Sequence, residues 1–223
     1  VGLYYQPPLY RELRNFEGEL NPNIKAQRSL HAIVGSDYFF KAWGRDFKLT
    51  TEAYYKHMTR VIPYDIDNVR LRYYARNNAK AYAAGFDVRV NGEFIPGSES
   101  WLSLGLLQTK ENLQGDSLTV YNSQGEVLGR EDIGYIRRPT DQLLNLGVFF
   151  QDHLPDNPTI RMYLNLVYGS GLPFGPPRQP DYRNAFNGKS YKRVDIGFSK
   201  VIVLESELVE RSKVSLESLW IGL

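Results

Sequence analysis

An alternation of apolar and polar residues, sustained over segments of ten residues and more, constrains this chain more than any other feature. Within 47–58, Phe47, Leu49, Ala53 and Tyr55 alternate with Lys48, Thr50, Glu52 and Lys56. Tyr82, Ala84, Phe86, Val88 and Val90 oppose Asp87, Arg89 and Asn91, while Leu102, Leu104 and Leu106 oppose Ser103 and Gly105. Leu144, Leu146, Val148 and Phe150 oppose Asn145, Gly147 and Gln151. Ile160, Met162, Leu164, Leu166 and Tyr168 oppose Arg161, Tyr163 and Asn165, and Val194, Ile196 and Phe198 oppose Arg193, Asp195 and Ser199. Successive side chains of a strand point to opposite faces, so a period of two means one apolar and one polar face. Residues 204–217 fit a helix locally, but we read them as a strand end, a turn and a new strand.

The pattern predicts about nine strands, near 1–6, 28–42, 46–58, 69–92, 99–113, 141–152, 159–169, 190–205 and 213–223. Connections alternate in length. Short ones fall at 43–46, 93–98, 153–158 and 206–211, and long ones at 7–27, 59–68, 114–140 and 171–189. In an antiparallel up-and-down meander this puts every short turn at one end and every long loop at the other, as in transmembrane β-barrels. A soluble β-sandwich also alternates, but its strands average about 5–6 residues. The expected fold is therefore all-β, an antiparallel up-and-down transmembrane barrel.

Aromatic residues fit that expectation. Phe40, Trp43, Phe47, Phe94, Trp101, Phe149 and Phe150 fall at the short-turn end, and Tyr54, Tyr55, Tyr73, Tyr74, Tyr168 and Tyr191 at the long-loop end. Two aromatic girdles around an apolar band suit the two water–lipid interfaces. No apolar run approaches the ~18 residues of a membrane helix. Residues 1–20 carry charges and prolines in place of the apolar core of a signal peptide.

The remaining composition narrows function. Lys and Arg number 27 against 25 Asp and Glu, a formal charge of +2, which argues against a nucleic-acid partner. The absence of Cys excludes disulfides, thiolate zinc sites and thiol nucleophiles. His31, His57 and His153 lack metal-ligand spacing, and no nucleophile elbow, Walker loop or dinucleotide fingerprint occurs. The glycine-rich 169–177 precedes no helix that would hold a phosphate, so we read it as a loop leaving a strand. Asp65, Asp67 and Asn68 lack the glycine and distal glutamate of a calcium loop and read as turn formers. No catalytic residue, metal or cofactor is assigned, and no enzyme is expected.

Several stretches together carry a family resemblance: YYQPPLYREL (4–13), NIKAQRSLHAIVG (23–35), FKLTTEAYYK (47–56), VIPYDIDNVRLRY (61–73), YAAGFDVRVNGEF (82–94), GSESWLSLGLL (97–107), RRPTDQ (137–142), FFQDHLP (149–155), LVYGSGLPFGPP (166–177) and SYKRVDIGFSK (190–200). The chain resembles the later part of the β-barrel of TonB-dependent outer-membrane receptors, in the subgroup carrying a carboxypeptidase-regulatory-like domain. The resemblance implies a plugged barrel of about 22 strands. Residues 1–223 would supply about nine of these, with the plug, its energy-coupling box and the final strands absent. It further implies the outer membrane of a Gram-negative bacterium. The implied partners are outer-membrane lipid, the rest of the same receptor and, through the plug, a periplasmic TonB-type coupling protein.

Within that frame Lys48, Glu52, Asp87, Arg89, Arg161, Arg193 and Asp195 are expected to face the lumen, because a charge facing lipid costs about 2–4 kcal/mol near the midplane. At the loop end Tyr64, Arg70, Arg137, Arg138, Arg178, Tyr182 and Arg183 offer stacking and anion-pairing groups for a ligand. The expected function is the barrel portion of an energy-coupled importer that binds its ligand at external loops and passes it through a plugged lumen. The alternatives are a soluble β-rich glycan-binding module and an autonomous small outer-membrane barrel. The substrate is not legible.

Overall fold

A computed structural model describes residues 1–67, 70–96, 98–154, 157–176, 182–203 and 219–222 of the 223-residue chain. Strands β1 (Gly2–Gln6), β2 (Gln27–Ala42) and β3 (Arg45–Val61) come first. The small hairpin β4 (Tyr64–Asp67) and β5 (Arg70–Tyr73) precedes the long pair β6 (Ala79–Ile95) and β7 (Ser98–Leu113). A second hairpin, β8 (Ser117–Tyr121) and β9 (Val127–Asp132), leads to the two-residue β10 (Ile136–Arg137). Next come β11 (Leu144–Leu154), β12 (Asn157–Gly169), β13 (Pro173–Phe174), β14 (Phe186–Asn187), β15 (Tyr191–Val203) and β16 (Leu219–Gly222).

The main sheet is antiparallel and ordered β1-β2-β3-β6-β7-β11-β12-β15-β16, with β10 paired to β7. Each long strand therefore lies beside its predecessor, as expected of a meander. The sheet is open, with β1 and β16 at opposite ends of the order, so a closed autonomous barrel is not formed by the described residues. Connections are short at 43–44, 96–97 and 155–156 and long at 7–26, 62–78, 114–143 and 170–190, so the expected alternation holds there. The short connection expected at 206–211 lies outside the described residues.

Two expectations need correction. The strand expected over 69–92 is two strands, β5 and β6, separated at residues 74–78. Polar anchoring breaks it: Asn77 Nδ2 donates to the carbonyls of Lys25 and Arg60, Asn21 Nδ2 donates to that of Ala75, and Ala75 takes φ 52°. The connection expected over 114–140 contains the hairpin β8–β9. Its turn is closed by Asn122 Oδ1, which accepts from the amides of Gln124 and Glu126.

Residues paired across strands share a face, so the register sorts the side chains. One face carries Leu30, Val34, Phe47, Leu49, Tyr55, Phe86, Val88, Leu102, Leu104, Leu146, Val148, Leu164, Leu166, Val194 and Ile196. The other carries Lys48, Glu52, Asp87, Arg89, Arg161, Arg193 and Asp195. It also carries Gly35, Gly85, Gly105, Gly147, Gly169 and Gly197, one each in β2, β6, β7, β11, β12 and β15. On this face the Tyr54 ring reaches over its partner Gly85, and Tyr163 over its partner Gly197, where any Cβ would collide with the ring.

The girdles divide between the faces. Phe40 stacks on Phe47 at 5.5 Å on the apolar face, whereas Trp101, Phe149 and Tyr163 form a stacked row on the polar face, at 6.2 and 6.4 Å. At the loop end Tyr55 and Tyr168 belong to the apolar face, and Tyr54 and Tyr191 to the polar one.

Neither face of the strand region is covered. The accessible surface is 15555 Å², against about 10,400 Å² expected of a globular chain of this mass. On the apolar face Val34 is 77 % exposed and Ile196 65 %. The buried apolar cluster of Val61, Ala79, Ala81 and Leu113, with Met58 and Tyr74 packed on it, sits at the loop end, where the long connections fold over the sheet.

Candidate functional site

The loop end gathers most of the described residues expected to meet a ligand, and it gathers them around acids. Glu111, near the end of β7, has a side chain 1 % exposed. Arg138 Nε lies 3.3 Å from its carboxylate. Arg183 Nη2 lies 3.7 Å from Glu111 and 3.7 Å from Asp116, while Arg183 Nε lies 3.6 Å from Asp65. Tyr74 Oη donates to Asp65 Oδ2 at 2.7 Å, and the Arg183 guanidinium covers the Tyr74 ring at 5.8 Å. Burial, then the bond to the Asp65 carboxylate, pushes the Tyr74 phenol well above its usual range. Burial also raises Tyr64, which faces Tyr73 across the β4–β5 hairpin at a ring separation of 5.6 Å.

A second knot adjoins the first. Arg137 Nε donates to Asp141 Oδ2 at 2.6 Å, and its Nη1 bonds Asn187. Asp141 Oδ1 accepts from the Thr109 amide at 2.6 Å, and Asn184 Nδ2 donates to the Arg137 carbonyl at 2.8 Å. Together the two knots tie the 62–78, 114–143 and 170–190 connections to the end of β7. Removing one member of a buried ion pair strands the other, which makes such pairs effective clasps.

Arg137, Arg138 and Arg183 are thus brought together, each paired with a carboxylate from another part of the loop end or its own turn. Tyr182 is exposed and stacks on Phe186 at 6.5 Å, Arg70 is exposed on β5, and Arg178 lies outside the described residues. The acids Glu111, Asp65, Asp116 and Asp141 were not assigned this role from sequence. The signal for Glu111 was its place on the polar parity of β7, where a charge at a strand end wants a partner. Asp65 carries an arginine and a tyrosine, Asn68 lies outside the described residues, and no group of three metal-binding side chains forms among the described residues.

The seven residues expected to face the lumen all fall on the polar face. Lys48 pairs with Asp37 at 3.0 Å and Arg193 with Asp195 at 2.8 Å. Arg161 Nε donates to His153 Nε2 at 3.1 Å, so the imidazole proton belongs on Nδ1, which faces Ser98 Oγ at 3.3 Å. The Arg89 guanidinium covers Trp101 at 5.0 Å. Glu52 and Asp87 are direct cross-strand partners, like charges that disfavour pairing when left alone. Together with Arg89, Trp101, Asn145 and the floor glycines Gly105 and Gly147 they line a shallow hollow of about 570 Å³.

This arrangement offers a charged, low-relief wall and a clasped loop cap. Comparison with known proteins finds no matching family model, no matching curated protein and no matching solved structure.

Proposed function

We propose that the chain is a wall segment of a transmembrane β-barrel, serving as the barrel portion of an energy-coupled outer-membrane importer. The observation that carries this reading is the two-faced open sheet. Its long interior strands run 11–17 residues, β11 the shortest and β3 and β6 the longest. One face is exposed and apolar through its middle, where the other carries Lys48, Glu52, Asp87, Arg89, Arg193 and Asp195. About 9–11 tilted residues suffice to cross the hydrocarbon core. An apolar face this open is costly in water and favoured in lipid, whereas the charged face suits an aqueous interior. Both remaining strand edges need partners inside a bilayer, so the proposal includes further strands of the same receptor beside β1 and β16.

The import step and its coupling to a periplasmic TonB-type protein through a plug rest on the sequence resemblance. The soluble glycan-binding alternative fits less well, because it leaves the apolar face without cover. The intact mass of the native protein in the outer-membrane fraction tests the reading. A mass several times the chain's 25.7 kDa supports a complete receptor. Recovery of the chain in the aqueous fraction without detergent overturns the membrane reading.

A further inference from the structure

A second hollow, of about 350 Å³, opens beside β1, β2 and β3 at the margin of the loop-end clasp, with which it shares Arg138. No carboxylate lines it, while Lys56, His31, Arg28 and Arg138 all do. Arg138 is matched by Glu111, and Arg28 donates to Thr59 Oγ1. Lys56 has no carboxylate partner among the described residues; its Nζ rests 5.3 Å from the centroid of the Tyr54 ring.

The register places Lys56 opposite His31, Met58 opposite Ser29 and Ser29 opposite Tyr4, all on the polar face. Ser29 Oγ is buried and has no hydrogen-bond partner. A buried hydroxyl left unpaired is disfavoured until a group arrives to satisfy it. Beside this polar corner the Tyr4 ring packs at a tilt against His31 at 4.4 Å, and Met58 and Val61 add apolar wall. The hollow therefore pairs a cation and an unsatisfied donor with an apolar surface about the size of one ring. Small-ligand sites combine apolar walls with a few convergent polar groups in this way, and a charge-assisted bond from an ammonium is among the stronger polar contacts.

We propose that this hollow binds a small aromatic carboxylate, its carboxylate against Lys56 Nζ and Ser29 Oγ and its ring against Tyr4 and Met58. The assignment needs only the chemistry of the polar face and stands apart from the membrane reading.

Calorimetric titration of benzoate, benzamide and benzylamine into the full chain in detergent micelles tests it. Benzoate is expected to bind saturably, at least tenfold more tightly than the uncharged benzamide, with benzylamine excluded. Lys56→Gln is expected to weaken benzoate at least tenfold and bring it level with benzamide. Lys56→Arg keeps the charge and retains binding, which separates lost charge from lost folding. Ser29→Ala weakens benzoate several-fold, and Lys192→Gln, on the opposite face, leaves it unchanged. Equal binding of benzoate and benzamide, no saturable benzoate binding, or a benzoate affinity untouched by Lys56→Gln each overturn the assignment. Micelle binding is read whether or not the strands enter a bilayer, so loss of this site and loss of the barrel-wall reading give different results.

Discussion

The Arg183 guanidinium lies 3.7 Å from the Glu111 carboxylate and so fastens the connection that precedes β14 to the end of β7, far away in sequence. Arg138 approaches the same carboxylate at 3.3 Å from a second connection. Neither contact has hydrogen-bond geometry, and both Glu111 oxygens are buried. One acid thus holds two loops by charge alone, in a place where water screens little.

Glu111→Ala leaves Arg138 and Arg183 without their shared anion. Breaking a buried pair costs about 3–5 kcal/mol, so the variant is expected to unfold at a markedly lower urea midpoint. Proteolysis should open the 114–143 and 170–190 connections first. Wild-type cleavage kinetics in the variant would mean the clasp holds nothing.

Val34 and Ile196 are open on the apolar face. Val34→Arg and Ile196→Arg are each expected to disfavour membrane insertion by up to about 2–4 kcal/mol, depending on depth. Asn165→Arg, on the polar face, is expected to have little effect. The comparison is read as the folded fraction in lipid vesicles, and equal losses at all three positions would remove the distinction between the faces.

Gly197→Val drives a side chain into the Tyr163 ring that lies on it. Overpacking of this kind costs about 1–3 kcal/mol. Adding Tyr163→Ala should recover part of the loss, giving a coupled rather than additive double-mutant cycle. The same logic applies to Gly85→Val with Tyr54→Ala.

The Tyr74 phenol is held neutral, its pKa raised above the ordinary value of 10.0 chiefly by burial and then by its bond to Asp65. An acid whose pKa is raised by folding binds more protons folded than unfolded once the pH passes its unfolded value. Its contribution is therefore complete below about pH 10 and declines as the pH climbs further. Unfolding scans from pH 8 to 12 should show an alkaline fall that Tyr74→Phe reduces. An identical fall in the variant would assign it to other groups.

Alternation made the sheet legible, because a one-residue error in parity exchanges the faces outright. Phe86 and Asp87, or Leu164 and Asn165, declare their sides by chemistry alone. The break at 74–78 was not legible, since it depends on Asn21 and Asn77 reaching distant carbonyls. The loop arginines were found as a group, but their partners were missed. Glu111 reads as one more alternating residue until the chain folds Arg138 and Arg183 onto it. Trp101 falls at the expected end of its strand but in other company: its odd position puts it with Arg89 and Phe149, away from the apolar face.

The glycines of the polar face bear on anything that moves along it. With Gly35, Gly85, Gly105, Gly147, Gly169 and Gly197 spread over six strands, and the rings of Tyr54 and Tyr163 reaching over two of them, patches of the wall are bare peptide and ring surface. On the proposed transport reading, a solute travelling past would slide over the glycine patches, and its brief stops would fall at the charges between them. On that reading, friction along such a wall would be set by the spacing of Glu52, Asp87, Arg89, Arg193 and Asp195, so changing a glycine there would alter the speed of passage before it altered what is admitted.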